Sequence, residues 1–196
     1  MNHYDPYDDA ALLAEAQQGA RREQIERRLH LLLDKRPPVF DEEGELHPDI
    51  QGWIERFLQG EPGALILIGK VGTGKTWSLW KAAETLVRQG WRGRMEIAAS
   101  YEVKEATDRP VDTERLRIWR EADLFAIDDL GAQRVNDWDA DALLAIIDRR
   151  WQRRRPTIVA SNEVGLKEFI GDRAASRLAD GATIVKFTGA DRRRAR

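Results

Sequence analysis

Ala64-Leu65-Ile66-Leu67-Ile68-Gly69-Lys70-Val71-Gly72-Thr73-Gly74-Lys75-Thr76 is the stretch that decides the fold. Five aliphatic residues in succession suit a parallel strand buried on both faces. They run straight into the pattern G-x-x-x-x-G-K-[ST], from Gly69 to Thr76, and then into a segment of helical character opening at Lys75. Gly69, Gly72 and Gly74 let the chain curl so that backbone N–H groups point inward, and with Thr73 they form a loop whose cradle suits phosphate oxygens. Lys75 is expected to reach the β- and γ-phosphates of a nucleotide, and Thr76 to hold Mg²⁺.

Outward from this stretch the chain alternates. Apolar runs suited to buried strands recur at Met95–Ala99, Leu124–Ile127, Thr157–Ala160 and Thr183–Phe187, with helical patterns between most of them, which predicts an α/β layered core. The plainest helix is Trp138–Trp151, where Ala140, Leu143, Leu144, Ile147 and Trp151 share one face. Ahead of the loop, Ile50, Trp53, Ile54, Phe57 and Leu58 predict a short amphipathic helix. Asp9 to Lys35 reads as one broken or two short helices interrupted at Gly19, stopped by Pro37-Pro38. The expected division is a helical extension over 1–36, a connector with its helix over 37–62, and a nucleotide-binding core over 63–196.

Two further strand ends carry chemistry. Leu124-Phe125-Ala126-Ile127 delivers Asp128-Asp129 to the carboxyl edge of the sheet, where ligands bind in such folds. Asp128 is placed to hold the Mg²⁺ shell through water, and Asp129 to polarise the attacking water. Thr157-Ile158-Val159-Ala160 leads through Ser161 to Asn162, a neutral amide that either orients the lytic water or senses the γ-phosphate.

Composition narrows the field. In 196 residues, 42% are hydrophobic and 34% charged, with no cysteine, which excludes disulfides, thiolate chemistry and Cys-built metal sites. His3, His30 and His47 make no metal spacing, and no apolar run approaches a bilayer span, so a cytoplasmic protein without a membrane anchor is expected. Residues 1–62 carry 14 acidic and 7 basic side chains, whereas residues 63–196 carry 20 acidic and 25 basic ones. Part of that excess lies in Arg149-Arg150-Trp151-Gln152-Arg153-Arg154-Arg155 and in Arg192-Arg193-Arg194-Ala195-Arg196, clusters of the kind that attract nucleic acid.

The order of motifs, Gly69–Thr76, then Ile127-Asp128-Asp129-Leu130-Gly131, then Ile147-Asp148-Arg149-Arg150, Ala160-Ser161-Asn162 and Ser176-Arg177-Leu178, resembles the AAA+ ATPases of the DnaC/IstB type, which are helicase loaders and transposition helpers. The resemblance covers about residues 38–192. It implies a P-loop fold with a five-stranded parallel sheet in which the Asn162 strand lies between the phosphate-loop strand and the Asp128 strand, and the few residues after Arg192 lead to the expectation of no C-terminal lid. It implies ATP and Mg²⁺ as cofactors, with Phe40 at the adenine site. Arg177, with Arg173 as the second candidate, becomes an arginine finger acting on a neighbouring copy, and Arg192 a candidate second sensor. Trp77 departs from the family's pattern after the phosphate loop and is expected in the core.

The reading that follows is an ATP-switched loader in DNA replication that assembles with itself through Arg177, holds single-stranded DNA and grips a hexameric replicative helicase. A transposase helper on double-stranded DNA uses the same site. A small-molecule kinase would need a lid with phosphate-clamping arginines and an acceptor pocket; the polar segment Arg109–Glu121 can be read that way, but Asn162 after its apolar strand and Ser176-Arg177-Leu178 fit it badly. A GTPase is disfavoured because no Asn-Lys-x-Asp motif occurs.

Overall fold

The apolar runs become the strands of one parallel sheet. The computed structural model describes residues 6–61, 63–131, 137–162, 166–189 and 191, and Arg192 with the terminal arginine run lies outside them. Helix α1 (Pro6–Leu33) is followed by a single 3-10 turn at Pro38–Phe40 and by α2 (Pro48–Leu58). Strands and helices then alternate: β1 (Leu65–Gly69), α3 (Lys75–Arg88), β2 (Met95–Ala99), α4 (Ser100–Thr107), α5 (Thr113–Glu121), β3 (Leu124–Leu130), α6 (Asp137–Gln152), β4 (Thr157–Ser161), α7 (Leu166–Ala179) and β5 (Thr183–Phe187). The sheet order is β2-β3-β4-β1-β5, every pairing parallel, so the strand leading to Asn162 lies between the phosphate-loop strand and the Asp128 strand.

Alternation along each strand builds two cores. Leu65 and Leu67 of β1, with Ile158, Ala160, Leu124 and Ala126, face Ile50, Trp53 and Ile54 of α2 and Leu79, Ala82 and Leu86 of α3. Ile66, with Val159, Phe125 and Ile127, faces Leu143, Ile146 and Ile147 of α6 and Ile170, Ala174 and Leu178 of α7. Burial on both faces is the reason that these strands read as unbroken apolar runs instead of alternating ones.

One expectation is overturned at the front of the chain. Gly19 does not interrupt anything: α1 runs unbroken from Pro6 to Leu33. Open space surrounds Gly19, so it weakens the helix by the usual propensity cost without imposing a bend. Toward its C-terminal end α1 lies on the core layer, with Leu32 packed inward and the Arg28 guanidinium donating to the Gly93 carbonyl at 2.6 Å, while Leu12 and Leu13 stay exposed.

The arginine cluster at the end of α6 is also less uniform than its sequence. Arg150 is 1% exposed and serves as an internal staple. Its guanidinium donates to the carbonyls of Trp119 (2.8 Å), Ala122 (2.7 Å) and Pro156 (2.6 Å) and to the Thr157 hydroxyl (3.0 Å), which ties α5, α6 and the start of β4 together. Burial, aided by the neighbouring Arg155 charge, pushes its pKa down to about 9, so it remains protonated at neutral pH. Arg155 reaches the carbonyl and carboxylate of Glu121. Arg149, 3.7 Å from the Glu121 carboxylate, and Arg153 and Arg154 remain as the exposed cations of this run.

Candidate nucleotide site at the carboxyl edge of the sheet

The phosphate loop leaves β1 at Gly69, where a Cβ would run into the Phe187 carbonyl of β5, so only glycine permits this strand spacing. Gly72 (φ 79°) and Gly74 (φ 100°) lie in the left-handed region that the curl requires, and Gly74 caps α3. Thr73 and Lys75 hold the loop from within: the Thr73 hydroxyl and the Lys75 ammonium both donate to the Lys70 carbonyl at 2.8 Å. Lys75 is 4% exposed, a cation stored at the floor of the loop.

The acidic pair sits on an irregularity in β3. Pairing of β3 with β4 shifts between Ile127 and Leu130, and Asp129 takes a left-handed conformation, φ 52°, which is uncommon for a residue with a Cβ and recurrent at functional sites. The bulge separates the two carboxylates. Asp128 turns inward, accepting the Thr76 hydroxyl at 3.0 Å and the Asp129 N–H at 3.0 Å. Asp129 stays exposed and lines the cavity over the loop. Burial, with the adjacent Asp129 charge, pushes the Asp128 carboxyl up to about 6, against the pull of the Thr76 hydroxyl and Lys75. The Ser161 hydroxyl donates to the Leu130 carbonyl at 2.7 Å, locking β4 to the bulge and bringing Asn162 to the same cavity.

That cavity, about 510 Å³, is lined by Gly72, Gly74, Lys75 and Thr76 at one end, by Asp129 and Asn162 at its side, and by Val39, Phe40, Trp77 and Glu42–Gly44 elsewhere. Phe40 thus lines the same cavity as the phosphate loop. Trp77 does not belong to the core alone: its ring packs on the α2/α3 layer and also walls the cavity. Neither Trp77 nor the segment 42–44 was expected here. The available signal was position, since the residue after Lys75-Thr76 lies on the first turn of the helix that opens from the loop.

Arg177 lies elsewhere. Helix α7 breaks at Gly171 (φ 78°, ψ 158°), and the turns from Asp172 to Ala179 run down to the amino edge of the sheet. There Arg177 lines a second cavity, about 630 Å³, with Ala64, Pro156, Thr157 and Gly181, residues at the starts of β1, β4 and β5. A strand length, on the order of 16 Å, separates this edge from the phosphate loop. The Arg177 guanidinium stands 3.0 Å from Asp148 and 5.4 Å from the centre of the Trp151 ring, whose N–H donates to Asp180 at 2.8 Å. Arg173 is exposed on the same face.

Strand order and loop together define a P-loop nucleotide-binding protein with an AAA+ core. The model of the IstB-like ATP binding protein family matches residues 56–179, and the chain belongs to that family. The replicative helicase loader DnaI of Bacillus subtilis is 26% identical over 106 residues, which is 53% of this chain and 34% of the loader, so the chain spans about a third of that relative's length. Among solved structures, DnaI superimposes with a TM-score of 0.65 at 23% identity, covering 81% of this chain and 94% of that one. The DnaC helicase loader superimposes at 0.62 and 19% identity, covering 76% and 96%. Among the described residues, no helix is long and apolar enough to cross a membrane.

Proposed function

We propose that this protein is an ATP-hydrolysing helicase loader of DNA replication, which uses ATP and Mg²⁺ to control its assembly with further copies of itself, with single-stranded DNA and with a hexameric replicative helicase. The observation that carries the reading is the separation of two half-sites. Phosphate loop, Asp129 and Asn162 meet at one edge of the sheet, while Arg177 stands at the other edge and is out of reach of its own loop. Sequence kinship with the DnaI loader supports the replicative role.

In this reading the loop N–H groups and Lys75 bind the β- and γ-phosphates; Lys75 leaves the Lys70 carbonyl to do so. The hydroxyl of Thr76 and the carboxylate of Asp128, already 3.0 Å apart, form the hard oxygen set that suits Mg²⁺, which when bound offsets phosphate charge. Asp129 accepts the proton of the attacking water and Asn162 orients that water without adding charge. Arg177 of one copy stabilises the charge that develops on the γ-phosphate held by the next, which makes turnover depend on assembly. The IstB-like family match favours a second reading on the same site, a transposase helper acting on double-stranded DNA.

Steady-state ATP hydrolysis across a protein-concentration series tests both. A rate per subunit that rises with concentration and responds to single-stranded DNA is expected of the loader, and a response to duplex alone selects the second reading. A rate indifferent to concentration and to DNA would overturn assembly through Arg177.

A further inference from the structure

The phosphate chemistry leaves one wall of the cavity without a task. Trp77 projects from the first turn of α3, half-buried, with Val39 and Phe40 lining the same space. Its indole N–H donates to the Glu42 carbonyl at 2.9 Å. Gly44 lies against the ring so closely that a Cβ there would be 2.9 Å from Cζ2 of Trp77. On one side of this contact Arg36 joins Asp41 to Glu84 of α3, and on the other Leu46 is buried and the His47 side chain caps α2. Residues 36–47 are thus a strap bound down at both ends, with Trp77 as its middle fastening.

We propose that Trp77 positions the base of the nucleotide: its indole and the Phe40 ring hold a purine by stacking, and its N–H keeps the strap closed over the base end of the cavity. The inference rests on the nucleotide reading of the phosphate loop and adds the residue that holds the other end of the ligand. With the phosphates fixed at Gly72–Thr76, the base falls to the part of the cavity lined by rings, Val39 and strap backbone. Flat apolar faces suit a planar heterocycle. At about 510 Å³ the cavity lies in the range that encloses a small organic ligand.

Calorimetry on the full chain, with Mg²⁺ present, compares ATP with inorganic tripolyphosphate, a probe that has phosphates and no base. Trp77→Ala is expected to weaken ATP by roughly tenfold or more while leaving tripolyphosphate within about twofold. Trp77→Phe keeps an aromatic face and loses the bond to Glu42, and is expected to retain most of the ATP affinity. Should Trp77→Ala fail to fold, Trp77→Leu is read in its place, with thermal unfolding as the control. Equal loss of both probes would make Trp77 a support of the loop, and unchanged ATP binding would leave it in the core; either overturns the proposal with the phosphate site intact. If the unaltered protein binds neither probe, or binds both as well after Lys75→Ala, the nucleotide reading itself falls and takes this inference with it.

Discussion

Lys75, Asp129 and Arg177 occupy three different environments, and their substitutions are expected to fail in three different ways. Lys75 is the buried cation of the loop, so Lys75→Ala removes nucleotide binding, measured as a dissociation constant. Asp129 is exposed beside the cavity and makes no part of the cradle. Asp129→Asn is therefore expected to keep affinity within a few-fold and to lower turnover by roughly 10²-fold or more, read in a single-turnover experiment. Arg177 is held in its own chain by Asp148 and Trp151, contacts that compete with the service to another copy proposed for it. Asp148→Asn weakens that hold, and on the assembly reading it shifts half-maximal hydrolysis to lower protein concentration. A shift to higher concentration would mean that Asp148 presents Arg177 instead of retaining it.

At the scale of elements, α1 and α6 show how local sequence and packing divide responsibility. Helix α1 crosses Gly19 with nothing near the missing Cβ, so Gly19→Ala is expected to raise stability by about 0.5–1 kcal/mol, seen as a higher midpoint in urea with an unchanged slope. Helix α6 ends in a run of arginines that looks uniform and is not. Arg150 donates to three carbonyls in buried bonds, and its removal takes that charged donor from all three. Arg150→Ala should cost about 3–5 kcal/mol, enough to threaten folding at 37 °C and measurable by thermal denaturation. The expectation that this run attracts nucleic acid is confined by the same packing to its exposed members.

For the whole molecule, the sheet is a spacer between two faces. Its carboxyl edge carries the loop, Asp129, Asn162 and the aromatic wall; its amino edge carries Arg177, Arg173 and the exposed Arg153 and Arg154. On the assembly reading, parts of one site carried on opposite faces imply head-to-tail association and not a two-fold dimer. If Arg153 and Arg154 contact DNA phosphates, replacing both with Ala should weaken single-strand binding at all sequences and lower the slope of log affinity against log salt by roughly 1.4. An unchanged slope would return both residues to solvent.

The carboxyl edge is legible in the sequence because its chemistry is written in contiguous residues. A strand that runs into a glycine loop, an Asp-Asp pair and a Ser-Asn pair each declare their place by ending an apolar run, and a parallel sheet must bring such ends to one edge. Five strands and their order follow from the same runs and from the resemblance they carry. Other features depend on residues far apart in the chain meeting in space. The fate of Arg150 is set by carbonyls of Trp119, Ala122 and Pro156, that of Arg177 by Asp148 and Trp151, and that of Trp77 by Glu42 and Gly44. Side-chain type and spacing determined which strand ends carry phosphate chemistry; only tertiary packing decided which arginines face water and which tryptophan walls the site, because burial and pairing belong to the neighbours in space and not to the residue.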